Sequence, residues 1–112
     1  MRVIRNDVIP FKGFKAVNLF GVLFARRNAV LSESDIRHEM IHTAQMRELL
    51  YAGFYLWYGM EWLIRWFGCG FKAKKAYRDV CFEREAYGNE RTDGYLIGRK
   101  RYESFKYLKG CN

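Results

Sequence analysis

Apolar positions recur at every second residue near the N-terminus and at every third or fourth residue further along. Residues 2–11 are rich in Val and Ile and hold the only proline, Pro10, which suits an edge strand or a strand end. Lys12-Gly13-Phe14 reads as a turn. Across residues 16–26, Val17, Leu19, Gly21, Leu23 and Ala25 alternate with Asn18, Phe20, Val22, Phe24 and Arg26. Both faces are largely apolar, so β-branched and aromatic content argues for a strand more than the alternation does. The longer period sets in after Ser32, which with Asp35 forms a capping box carrying Asp in place of Glu; Ser34 is an alternative cap. A first helix is predicted from about residue 34 to 51. A break near Gly53 or Gly59 and a second apolar helix to about residue 67 follow, ended by Gly68-Cys69-Gly70. A third helix is predicted over 71–91, ended by Asp93-Gly94, and a basic surface helix over 95–109. The expected fold is α+β: a small N-terminal antiparallel sheet packed on three to four α-helices, one domain over residues 1–112.

Composition narrows the class. Half of the 112 residues are apolar and 18% are aromatic, too apolar for a disordered chain. The net charge is +8, but Lys and Arg are spread along the chain, with small clusters only at 72–75 and 99–101. There is no RNA-binding or zinc-finger signature, so nucleic acid is not an expected partner; Arg99–Arg101 reads as a solvated face. Cys69, Cys81 and Cys111 are odd in number and form no C-x-x-C pair. They read as reduced thiols in a cytoplasmic protein, with Cys81 packed in a helix and a Cys69–Cys81 disulfide as the less favoured alternative.

No signal peptide is expected. The apolar run 17–25 is interrupted by Asn18 and followed by Arg26 and Arg27. Residues 49–67 are interrupted by Glu61 and Arg65, and the uncharged part is too short to span a bilayer. The aromatic stretch 54–67 reads as core or a homodimer face, with peripheral membrane contact as the second reading. Glu61 and Arg65 read as a solvated or interface i,i+4 bridge.

The candidate chemistry is in His38-Glu39-Met40-Ile41-His42, an H-E-x-x-H motif holding the only two histidines. On a helix the two imidazoles share a face and can reach one metal ion. Glu39 is offset by roughly 100°, where a general base for a metal-activated water belongs. Catalytic zinc needs a third protein ligand. One route takes it six residues after the second His, past a helix-breaking Gly. Those positions are Glu48 and Gln45, and with no Gly the helix carries Glu48 roughly 120° away from His42. The other route takes a Glu from a later helix. With Ala76 at the origin of a helical wheel, Ala73, Val80, Glu83, Tyr87 and Glu90 fall within about 60° of it and Glu85 on the opposite side. Glu83 therefore faces inward along an apolar stripe, where a carboxylate needs a partner or a metal.

Glu83-Arg84-Glu85-Ala86 after His38–His42 resembles the gluzincin type of zincin metallopeptidase, H-E-x-x-H followed on a later helix by E-x-x-A. In membrane zinc proteases of the prenyl-protein-endopeptidase type the pattern is E-x-x-A-D. Glu83 and Ala86 match it, and Tyr87 stands where those proteases have a buttressing aspartate, a role that Glu90 or Glu61 would have to fill. Residues 38–66 with 76–90 also resemble small, uncharacterised bacterial proteins of the zincin type, a likeness that brings no substrate.

The resemblance implies Zn²⁺ on His38, His42 and Glu83, Glu39 as the base, and a peptide or protein substrate paired along a strand edge, expected at residues 20–26. Tyr77, Tyr87 and Arg84 are candidates to stabilise an oxyanion. Gln45, Asp35 and Glu90 are candidates to support the imidazoles. The expected function is a zinc-dependent metallopeptidase. The alternatives are a non-catalytic zinc-binding module of the same scaffold, and a membrane-surface or partner-binding protein in which the motif is incidental.

Overall fold

The computed structural model describes residues 2–7 and 16–108. Pro10, the turn expected at 12–14 and Cys111 lie outside them. The fold is α+β. Three strands, β1 (Arg2–Asn6), β2 (Ala16–Leu19) and β3 (Val22–Arg26), precede α1 (Glu33–Glu48), α2 (Ala52–Gly68), α3 (Ala73–Asp79) and α4 (Cys81–Asn89). A single turn, α5 (Tyr95–Gly98), and a 3₁₀ turn (Glu103–Tyr107) follow.

The sheet differs from expectation in two ways. It is mixed, in the order β1-β3-β2, with β1 parallel and β2 antiparallel to β3. The single strand expected over 16–26 is a hairpin folded at Phe20-Gly21, where φ is +53° and +87°. Two residues of positive φ match the right-handed twist of the flanking strands, and the two-residue turn preserves the alternation, which is why the pattern conceals it. As a consequence β3 is the central strand, paired on both sides. The substrate edge expected at 20–26 is therefore not available there.

Helix α1 starts as expected. Ser32 Oγ accepts from the Asp35 N–H (3.2 Å) and Asp35 Oδ2 accepts from the Ser32 N–H (3.0 Å), which satisfies two free amide donors of the first turn. The α1–α2 break falls at Leu50-Tyr51, both at positive φ, rather than at a glycine. Gly53 still matters, because a Cβ there would lie 3.3 Å from that of Leu49.

The third helix is two helices. Val80, at ψ 135°, leaves the helical path between α3 and α4. Glu61 stabilises the new N-terminus, since its carboxylate accepts from the Cys81 N–H (2.9 Å), Arg65 Nε (2.7 Å) and Trp57 Nε1 (3.1 Å). Glu61 and Arg65 are thus a buried cap, 7% and 8% exposed, and not a solvated bridge. Met46, Phe54, Val80, Cys81 and Phe82 form the core between α1, α2 and α4, with the rings of Phe54 and Phe82 stacked at 4.6 Å. Cys81 is a free, buried thiol, so no Cys69–Cys81 pair exists. Cys69 is disulfide-bonded, which corrects the reading of reduced thiols and removes its support for a reducing compartment.

The segment after α4 is not a surface helix. Arg99 turns inward, pairing with Glu48 and Glu85, and Ser104 Oγ donates to Glu85 Oε1 (2.6 Å). Glu85, placed on the outer side of its helix by the wheel, is fully buried. The wheel located solvent correctly only for a chain that ends at α4; residues 95–107 cover that side. No helix among the described residues is long and apolar enough to cross a membrane.

Candidate metal centre

Helices α1 and α4 bring His38, His42 and Glu83 together. The two histidines sit one turn apart on α1, and Glu83 lies in the first turn of α4, where the helix dipole favours a carboxylate. His38 Nε2, His42 Nε2 and Glu83 Oε1 form a nearly equilateral triangle with sides of 3.1, 3.1 and 3.2 Å. Tetrahedral zinc with N and O ligands at 2.0–2.1 Å separates its ligand atoms by about 3.3 Å. All three side chains are buried, at 7, 5 and 4% exposure.

The outer ring nitrogens fix the tautomers. His38 Nδ1–H donates to Glu90 Oε2 (2.7 Å), and a carboxylate can only accept. His42 Nδ1–H donates to Gln45 Oε1 (2.7 Å). The orientation of that amide is itself determined, because Gln45 Nε2 donates to Phe82 O (3.1 Å) and Glu85 Oε1 (3.0 Å). Both Nε2 lone pairs therefore point at Glu83 Oε1. Three acceptors at this spacing repel unless a positive charge sits among them. In metal-free protein that charge is a proton. Burial disfavours the His42 imidazolium, but the Glu83 carboxylate outweighs it and raises the pKa to about 9. Burial likewise opposes ionisation of Glu83, yet His42, His38 and Tyr58 hold it well below the usual carboxylate range. A divalent metal satisfies the same three atoms, and the residues present fit zinc in number, type and spacing.

Glu39 flanks the cluster, half-buried, and is not one of its converging atoms. Burial raises its pKa; the two histidines oppose that rise and Glu83 adds to it. Asn18 of β2 holds its backbone, donating from Nδ2 to Glu39 O (2.9 Å) and Thr43 Oγ1 (3.0 Å), while its Oδ1 accepts from the Gly21 N–H (3.0 Å). The polar residue that interrupts the apolar run 17–25 is thus the tie between the hairpin turn and the motif.

The other expected residues divide. Gln45 and Glu90 support the imidazoles. Asp35 does not; it is spent in the capping box. Tyr87 packs its ring against His38 (4.5 Å between centroids), and its hydroxyl meets that of Tyr77 at 2.8 Å. Arg84 is directed away, to Asp79 (3.4 Å) and Tyr107 O (3.4 Å). Glu48 pairs with Arg99, consistent with its exclusion as a ligand. One contributor was missed. Tyr58 donates to Glu83 Oε2 (2.7 Å), leaving Oε1 for the cluster. Its signal was present: Phe54, Tyr58, Glu61 and Arg65 follow helical spacing along one face of α2.

A cleft of about 620 Å³ lies between the start of α1 and residues 93–97, with Ile36, Arg37 and Met40 in its wall. None of His38, Glu39, His42 and Glu83 lines it. No protein-family model, curated protein or solved structure matches the chain.

Proposed function

We propose that the protein is a zinc-dependent metallopeptidase of gluzincin type. The observation that carries this reading is the triangle of His38 Nε2, His42 Nε2 and Glu83 Oε1, with both Nδ1–H groups held by outer acceptors. Bound zinc would supply Lewis acidity to a water and to a peptide carbonyl. Glu39 takes the proton of the attacking water and returns it to the leaving amine, a task served by a carboxylate of raised pKa. The Tyr77–Tyr87 hydroxyl pair is the candidate donor for the oxyanion, since Tyr58 is committed to Glu83. A peptide would lie along β2, which has one partner among the described residues, β3, and which Asn18 fastens to the motif helix. In this reading Glu90, which accepts from His38 Nδ1–H, takes the buttressing role that an aspartate fills in the E-x-x-A-D motif that residues 83–87 resemble.

The burial of all three ligands favours a second reading, a zinc-binding module without turnover. Metal analysis of the purified protein with a casein-type hydrolysis assay separates the two. Stoichiometric zinc and hydrolysis lost in Glu39→Gln support the peptidase. Zinc without hydrolysis supports the module. No zinc, even after titration with the metal, refutes both.

A further inference from the structure

Helix α2 has its polarity inverted. A surface helix of a water-soluble domain turns apolar residues inward and charges outward. The only charged residues of α2, Glu61 and Arg65, are buried and paired at 2.7 Å. Its outward side is Leu56, Met60, Leu63, Ile64 and Phe67, continued by Phe71 beyond the helix, each 48–72% exposed. The five helical positions fall within about 100° of one another, a single ridge about 16 Å long. Trp62 and Trp66 are half-buried and off this face, and Trp57, 37% exposed, borders it. Trp62 packs on the core, Trp66 stacks on Trp62 (5.9 Å), and Trp57 packs on Phe105 (5.0 Å).

The charge beside the ridge has one sign. Across α2 and α3 both acidic residues are buried: Glu61 in the cap, and Asp79 paired with Lys75 at 2.7 Å and with Arg84. The exposed charged side chains there are Lys72 and Lys74, with Arg78 turned over the Tyr87 ring at 3.8 Å. A second copy of the chain carries the same net charge of +8 and is the less complementary partner. An anionic lipid surface complements both features, with the ridge entering the acyl boundary and the cations meeting the headgroups.

We propose that the outer face of α2 docks the protein onto an anionic membrane surface, lying in its plane without crossing it. This stands independently of the metal centre, although Tyr58 on the inner side of the same helix contacts Glu83.

The test is co-sedimentation of the whole protein with vesicles of phosphatidylcholine alone and with one quarter phosphatidylglycerol, alongside light scattering without lipid. Wild type should pellet with the anionic vesicles, and added salt should weaken the binding. Lys72→Gln with Lys74→Gln should lower partitioning about fivefold for each charge removed. Leu63→Gln and Phe67→Gln should each lower it at least tenfold while leaving the circular dichroism spectrum unchanged, as expected for exposed positions. Protein that stays in the supernatant at every lipid concentration would overturn the proposal. So would a lipid-free dimer that Phe67→Gln dissociates, or pelleting that these substitutions do not alter.

Discussion

Gln45→Leu tests the support of the centre without touching a ligand. Gln45 is fully buried, and its amide joins three groups: the His42 Nδ1–H, Phe82 O and Glu85 Oε1. Leucine has similar volume and no polar atom. The substitution leaves the His42 Nδ1–H without an acceptor in a closed site, at a cost of about 1–3 kcal/mol. The ring can escape that cost by moving its proton to Nε2, which removes the lone pair a metal needs. Either route weakens zinc binding by about 10–100-fold. Glu85 keeps Arg99, Ser104 and Tyr95 and Phe82 O keeps its place in the α4 hydrogen-bond ladder, so the fold should survive with a loss of about 1–3 kcal/mol for the hydrogen bonds the amide gives up. Competition against a fluorescent zinc chelator reads the affinity, and urea unfolding of metal-free protein reads the stability. Gln45→Glu restores an acceptor for Nδ1 and should recover most of the zinc affinity, though its carboxylate faces Glu85 and the metal-free fold gains nothing. Zinc affinity unchanged within twofold in Gln45→Leu would refute the assignment of the His42 tautomer. Equal losses in both variants would reduce Gln45 to a packing residue.

Other outcomes follow from the same geometry. Glu39→Gln should bind zinc as wild type does and lose at least about 100-fold in kcat, by peptide hydrolysis; unchanged turnover would exclude Glu39 as the base. Removing zinc should reverse the pH dependence of stability. In metal-free protein His42 has a folded pKa of about 9 against 6.5 unfolded, so its contribution is full below 6.5 and is lost as pH rises to 9. Apparent zinc affinity, which requires that proton to leave, should rise about tenfold per pH unit over the same window; calorimetric scans with and without zinc from pH 6 to 9 would show a flat response if His42 carried no proton. Arg99→Met strands Glu85 and Glu48 in a closed site and should cost about 3–5 kcal/mol in urea unfolding, whereas a loss below 1 kcal/mol would place Arg99 in solvent.

What the sequence disclosed depended on how local each signal was. The capping box at Ser32 and the histidine pair four residues apart rest on neighbours within one turn, and both are found where periodicity places them. The selection of Glu83 over Glu85 used a wheel anchored at Ala76, across a break at Val80 that nothing in the pattern announces. Glu83 nevertheless lies beside His38 and His42, because Glu83, Tyr87 and Glu90 keep their mutual phase within the α4 turns, whatever precedes them. The hairpin at Phe20-Gly21 was hidden because a two-residue turn leaves a period of two intact. Strand order was out of reach for another reason: the parallel pairing of β1 with β3 is a tertiary choice, and an edge strand and a central strand of this length carry the same residues. Residues 95–107 are largely exposed or half-buried, as expected of a surface segment, but the inward turn of Arg99 was missed because Arg99 reads as a solvated cation unless Glu48 and Glu85 are already known to face it.

The two glutamates of α4 show how these levels join. Glu83 and Glu85 point to opposite sides of one helix, and each is buried against a different cationic set, the imidazoles in one case and Arg99 in the other. A buried carboxylate must be paired, and pairing one side alone would leave the other uncompensated. Gln45 spans the two, accepting from His42 and donating to Glu85, so its amide orientation is set by the ionic side and in turn sets the tautomer on the metal side. The C-terminal segment that supplies Arg99 is therefore a part of the centre at two removes: Arg99 anchors Glu85, Glu85 holds the Gln45 amide, and the amide holds His42. On this reasoning Arg99→Met should weaken zinc binding in step with stability, while Arg99→Lys, which keeps the charge but not the fork that engages both carboxylates, should recover part of each. Zinc affinity that stays at the wild-type level in an Arg99→Met protein that has lost stability would disconnect the two clusters.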